Sequence, residues 1–134
     1  MVEDFQPFRQ LLSSILQRNP RTRLICEVAD GLQAVEKADE LDPDLILLDI
    51  GLPKLNGIEA ARRISQVSPE SKIIFVSSEF SAEIMRNALA TGARGYVVKV
   101  DAGRELLTAV EAVLRGEEFL SSTAAWVLCE YGNS

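Results

Sequence analysis

The sequence predicts a doubly wound α/β fold, one parallel sheet with helices on both faces. Three observations carry that prediction. Strand-like and helix-like stretches alternate five times along 134 residues, a length that suits one domain. Three strand-like stretches, 45–48, 73–76 and 96–98, are apolar at every position, as strands covered on both sides must be. Polar side chains stand where these stretches stop, and ligands of such sheets bind beyond the carboxyl ends of the strands.

The elements follow in order. Met1 and Val2 form a first strand that ends in Glu3 and Asp4. "PFRQLLSSILQR", 7–18, sets Phe8, Leu11, Leu12, Ile15 and Leu16 on one helical face, with Pro7 suited to a first turn. "RLICEVA", 23–29, reads as a strand and "DGLQAVEKADEL", 30–41, as a helix with Leu32, Val35, Ala38 and Leu41 on one side. "PDLILLD", 43–49, is an apolar strand that ends in an acid, followed by Gly51, Pro53 and Gly57. "GIEAARRISQV", 57–67, is a helix and "KIIFVS", 72–77, a strand. "SAEIMRNALATG", 81–92, opens on a capping serine and closes on glycine. "GYVVK", 95–99, is the last strand, and "GRELLTAVEAVLRG", 103–116, is a helix stopped by Gly116. A short amphipathic helix is expected within the 119–134 extension, from Ala124, Trp126, Val127, Leu128 and Tyr131.

Composition narrows the function. The chain is 47% hydrophobic and 25% charged, with 14 basic and 20 acidic residues and a net charge of −6. Phosphate backbones select basic surfaces, so this chain is not expected to bind nucleic acid itself. There is no histidine, and Cys26 and Cys129 match no metal spacing. No apolar run approaches the roughly 20 residues of a membrane helix, and "MVEDF" lacks a secretory pattern. A cytoplasmic protein without membrane contact is expected.

The strand ends deliver Glu3, Asp4, Asp49, Ser77 and Lys99 to one edge. Clustered carboxylates repel unless a positive partner intervenes. Lys99 is one such partner and a hard divalent cation is another, since magnesium takes carboxylate oxygens and accepts phosphate. Acids, a lysine and a hydroxyl together make a cradle for a phosphoryl group, whose transfer needs a nucleophile, a metal and donors to the transferred oxygens. Each residue alone has an ordinary structural reading, as a cap, a solvated terminus or a packed side chain. The conjunction points to phosphoryl chemistry.

"VED" at 2–4, "LLDIGLPKLNG" at 47–57, "FVSSE" at 75–79 and "GYVVK" at 95–99 resemble the receiver domain of two-component response regulators. The likeness spans residues 1–118, taken as the receiver, with 119–134 as an extension. It implies a flavodoxin-like sheet of five parallel strands in the order 2-1-3-4-5. It implies that Asp49 is the phosphoacceptor, supplied by a sensor histidine kinase or a small phosphodonor. Mg2+ would be held by Glu3, Asp4, Asp49 and the backbone carbonyl of Gly51. Ser77 and Lys99 would contact the phosphoryl oxygens, and Tyr96 would be a rotameric switch coupled to Ser77. Phosphorylation would re-sculpt the 81–115 face, the expected site of a homodimer. Such a domain catalyses its own phosphorylation and dephosphorylation and turns over no external substrate.

Departures from the family pattern are local. The first strand is stunted or begins upstream of Met1. Val100 replaces the proline that often follows the lysine, so a trans bond is expected there. Together with "ELLTAVEAVLRGEEFLS", this is similar to the subgroup joined to helix-turn-helix output domains, and DNA would be reached only through such a domain. Gly51 and Glu79 occupy positions that tune phosphate lifetime in the family. Two other readings of the same residues compete with this one. One is a pseudo-receiver used as a phosphorylation-independent interaction module. The other is a phosphohydrolase, which lacks its second acid because position 51 is glycine.

Overall fold

The computed structural model describes residues 1–131; the last residues of the expected C-terminal extension, 132–134, lie outside the described residues. Among the described residues four parallel strands form the sheet: β1 (Leu45–Leu48), β2 (Lys72–Ser77), β3 (Gly95–Val98) and β4 (Phe119–Leu120), in the order β1-β2-β3-β4. Among the described residues six helices surround it: α1 (Gln6–Leu16), α2 (Gly31–Leu41), α3 (Gly57–Val67), α4 (Ala82–Leu89), α5 (Ala102–Leu114) and α6 (Ser122–Tyr131). A 3-10 turn, Lys99–Asp101, joins β3 to α5, and its Lys99–Val100 peptide is trans.

The alternation of side chains along each strand builds two cores. Ile46, Leu48, Ile73, Phe75, Tyr96 and Val98 face α2, α3, α4 and α6. Leu47, Ile74, Val76 and Val97 face the apolar stripes of α1 and α5. A period of two along a strand sends neighbours to opposite faces, so a continuous apolar run is what a doubly covered strand requires. The helix boundaries follow their signals. Asp30, Asn56 and Ser81 accept from the backbone N–H groups of Gln33, Glu59 and Ile84, and so cap α2, α3 and α4. Gly116 takes the left-handed conformation, φ 91°, just past α5.

The sheet differs from the expected five strands in 2-1-3-4-5 order. The expected first two strands contribute single-residue bridges only: Val2 pairs with both Leu48 and Val28. This places the 1–3 stretch between 28 and β1, but the ladder there is short. Met1, Val2 and Glu3 supply its hydrogen bonds, and 23–27 runs on without a regular partner. On the opposite edge β4 extends the sheet, with Phe119 and Ser121 N–H groups donating to the carbonyls of Arg94 and Tyr96. The expected C-terminal helix is present as α6, but Trp126, expected on its apolar face, is exposed. Ala124 and Val127 bury into the core beside Met85, Ala88 and Tyr96.

Candidate functional site

The strand ends converge as their register dictates. Leu48 pairs with Phe75 and Ser77 with Val98, so Asp49, Ser77 and Lys99 each stand within two residues of neighbouring ladder rungs. Val2 lies beside Leu48 and carries Glu3 and Asp4 to the same edge. Carboxylate oxygens of Glu3, Asp4 and Asp49 all lie within 4.8 Å of one another, with Asp4 exposed and the other two buried. Lys99 Nζ donates to Glu3 Oε1 at 2.9 Å and to Asp49 Oδ2 at 3.1 Å. Its ammonium also lies 4.6 Å from the centroid of the Phe8 ring. Asp49 Oδ1 accepts from the N–H of Ile50 at 2.7 Å.

The electrostatics are those of crowded acids around one cation. Burial drives the Glu3 carboxyl from 4.5 up to about 7; Asp49 adds to the rise and Lys99 opposes it. Lys99 moves the other way from a simple buried amine. Burial favours its neutral form, but Glu3 and Asp49 outweigh burial and raise it. Glu3 Oε2 is fully buried and has no hydrogen-bond partner among the described residues. A buried carboxylate oxygen without a donor is costly. An orphaned oxygen within a three-acid cluster fits a hard divalent cation, which takes oxygen ligands from carboxylates.

Behind Asp49, two glycines let backbones touch. A β-carbon at Gly57 would overlap the carbonyl oxygen of Asp49, and one at Gly31 would overlap that of Leu55. Gly57 N–H also donates to the Ile50 carbonyl at 2.8 Å. The loop after β1 is thereby held between the starts of α2 and α3. Gly51 is different: a β-carbon there would meet nothing within 4 Å.

Ser77 is buried at the end of β2, and its Oγ accepts from the Glu79 N–H at 3.1 Å. The Tyr96 ring is fully buried, and its hydroxyl donates to the Glu79 carbonyl at 2.6 Å. Burial raises the Tyr96 phenol to about 12, with Ser77 acting in the opposite direction. Ser77 and Tyr96 are thus tied to the same residue, Glu79. Beyond Lys99, Asp101 anchors α6 by accepting from Thr123 N–H at 2.9 Å and Thr123 Oγ1 at 3.0 Å.

The structure therefore brings Glu3, Asp4, Asp49 and Lys99 into one group. It ties Ser77 to Tyr96 through Glu79, and leaves Gly51 exposed in the loop after β1. Sequence reasoning missed Phe8, Arg9, Gly31 and Asp101. Phe8 is read from sequence as part of a helical stripe. Arg9, whose Nη1 donates to the Glu3 carbonyl at 2.8 Å, carries no motif of its own.

Residues 1–111 match the response regulator receiver domain, and the chain belongs to that family. It is 34% identical over 120 residues to the transcriptional regulatory protein DegU of Brevibacillus brevis, covering 90% of this chain and 51% of that protein. It is 34% identical over 128 residues to the DNA-binding transcriptional activator DevR/DosR of Mycobacterium tuberculosis, covering 96% of this chain and 59% of that protein. A solved two-component response regulator of the LuxR family from Aurantimonas sp. SI85-9A1 superposes with a TM-score of 0.93 at 30% identity, covering 99% of this chain and 95% of that one. The chain spans a little over half the length of these curated relatives. The fold is the flavodoxin-like receiver fold, and receiver domains bind Mg2+ at an acidic pocket of this kind. No helix among the described residues is long and apolar enough to cross a membrane.

Proposed function

We propose that the chain is a phospho-acceptor switch, with residues 1–118 as the receiver and 119–134 as an extension whose helix α6 docks on it. A carboxylate oxygen of Asp49 attacks the phosphorus of a phosphohistidine on a sensor kinase, or of a small phosphodonor. The bond from phosphorus to the donor's nitrogen or oxygen breaks, its electron pair leaves with the donor, and an acyl phosphate remains on Asp49. Water attacking the same phosphorus releases phosphate and regenerates the carboxylate.

Glu3, Asp4, Asp49 and the Gly51 carbonyl would hold Mg2+. When bound, the cation offsets the charge of the attacking and transferred oxygens. Lys99 supplies a fixed positive charge to a phosphoryl oxygen, and the Ser77 hydroxyl keeps a proton to donate to another. The single observation that carries the reading is the Lys99 ammonium bridging Glu3 and Asp49 at 2.9 and 3.1 Å. A lysine joining acids from separate strands sets a positive charge beside the Asp49 oxygens, where a transferred phosphoryl group would sit.

The switch runs through Glu79. A phosphoryl group that draws Ser77 Oγ toward it disturbs the Ser77–Glu79 bond, and Tyr96 is held by the carbonyl of that same residue. The ring is inward in this structure, so phosphorylation acts by raising the population of the inward state. The 81–115 face is partly covered by α6, which packs on α4 and β3. A homodimer on that side therefore uses the joint α4–α6 surface. The chain would act in the cytoplasm, on DNA through an output domain like those of its DNA-binding relatives or through a protein partner.

Acetyl phosphate plus magnesium, followed by intact mass, tests the reading. The wild type should gain one phosphoryl group and Asp49→Ala none. An unmodified wild type, or an adduct that survives Asp49→Ala, refutes it and leaves the pseudo-receiver reading.

A further inference from the structure

Lys99 is gripped from two sides. On one, its ammonium donates to Glu3 and Asp49. On the other, it faces the Phe8 ring at 4.6 Å from the centroid. That lies within the range where a cation is attracted to the electron-rich face of an aromatic ring. Phe8 sits in the first turn of α1, after Pro7. The same turn is tied to the strand end that delivers Glu3, because Arg9 Nη1 donates to the Glu3 carbonyl.

Packing alone does not ask for an aromatic residue there. Phe8 is partly buried against the cluster formed by α1, α5 and the sheet, a task any apolar side chain of similar size performs. An aromatic face adds attraction for the ammonium. Lysine has a flexible four-carbon stem whose direction must be fixed by its partners. Its two carboxylate partners are also the residues expected to hold a cation, and sharing them weakens the lysine's anchors. The ring competes for neither carboxylate and takes no hydrogen bond that a phosphoryl oxygen would need. It also shields one side of the ammonium, whose side chain is only 20% exposed.

We infer that Phe8 is a positioning residue for Lys99: its ring face holds the lysine ammonium beside Asp49. The inference deepens the acceptor reading given above and rests on it for its consequence on rate. Three variants separate ring attraction from packing. Phe8→Leu keeps an apolar side chain and removes the face, whereas Phe8→Tyr and Phe8→Trp keep the face.

The first readout needs no phosphoryl transfer. In magnesium-free protein, the Lys99 Cε methylene protons should be shifted upfield by the ring in wild type and the Tyr variant, and lose that shift in the Leu variant. The second is the rate of modification by acetyl phosphate with magnesium, expected to fall about threefold to tenfold in Phe8→Leu and to be restored in Phe8→Tyr. Should the Leu variant not fold, Phe8→Met makes the same comparison. Unshifted lysine protons in wild type overturn the inference. So does a wild-type rate in the Leu variant, or an equal loss in the Leu and Tyr variants. A wild type that accepts no phosphoryl group refutes the acceptor reading instead, and the lysine resonances still decide whether Phe8 holds Lys99.

Discussion

The two halves of the acidic site rest on unequal foundations. Asp49, Ser77 and Lys99 end strands that belong to a continuous parallel ladder with both faces buried. Glu3 and Asp4 end a stretch joined to its neighbours by single-residue bridges at Val2. Below that stretch lies a cavity of about 360 Å3, lined by Met1, Leu24, Cys26, Ile46 and Leu114 among others. A ladder fixes a strand end through every rung beneath it, whereas a bridge fixes it through one. Asp49 and Lys99 are therefore rigidly placed, and Glu3 and Asp4 are the softer half. The comparison makes a demand: disturbing the ladder side should cost stability, and disturbing the bridge side should cost cation affinity more than stability.

The largest effect is expected on the rigid side, at Gly57. A β-carbon there meets backbone atoms of Asp49 and Ile50, which no side-chain rotation relieves. Gly57→Ala should lose at least about 3 kcal/mol by urea unfolding, the upper range for overpacking. A loss under about 1 kcal/mol would show that the loop after β1 is less tightly clamped than its geometry implies.

The next effect is a pH dependence on the soft side. The Glu3 carboxyl is raised from 4.5 to about 7, chiefly by burial, so the folded chain binds its proton where the unfolded chain has lost it. Its contribution to stability is full below 4.5 and is lost as pH rises through about 7. In chelator, unfolding free energy should fall by about 2–3 kcal/mol across that window, and Glu3→Gln should flatten the slope. A wild-type slope of zero would mean that Lys99 fully compensates Glu3.

Much of this was legible in the sequence, and the rest was hidden for identifiable reasons. Apolar runs announced β1, β2 and β3 because double burial leaves no polar position to confuse the reading. Asp49 and Lys99 stood out because they terminate such runs. The 23–29 stretch keeps strand-like alternation through Val28, with Leu24, Cys26 and Val28 partly buried and Arg23, Ile25 and Glu27 exposed. Its hydrogen bonds to the neighbouring stretch are those of Cys26 and Val28 with Met1 and Glu3, too few for a regular ladder. β4 has two residues and no pattern to read. It exists because Ser121 bonds β3 twice, through its N–H to Tyr96 and its Oγ from Val98. Phe8 beneath Lys99 depends on two residues 91 positions apart meeting in space, which no local spacing encodes.

Val2 offers a sharper probe of the soft half. It is buried and bridges 28 and β1, yet its side chain is small. Val2→Ala should cost about 1–2 kcal/mol by area and cavity terms. Magnesium affinity, followed by titration calorimetry, should fall by a larger factor than an equally destabilising change such as Ile73→Val produces. Equal losses of affinity in the two variants would erase the distinction between the halves.

The smallest effect is predicted at Gly51, and it completes the contrast with Gly57. Both glycines follow Asp49, Gly51 in the loop after β1 and Gly57 at the start of α3, but only Gly57 is pressed against backbone. At Gly51 an added β-carbon meets nothing within 4 Å, and no left-handed φ constrains the position. Gly51→Ala should therefore change stability by no more than about 0.5 kcal/mol. Because the backbone carbonyl is retained, magnesium affinity should also hold. The side chain's one consequence would be steric, at the approach of water to the acyl phosphate proposed on Asp49. Phosphate lifetime, read by mass after removal of phosphodonor, should lengthen in the order Gly, Ala, Met. A lifetime indifferent to that series would place the attacking water on the opposite side of the site, toward Glu79.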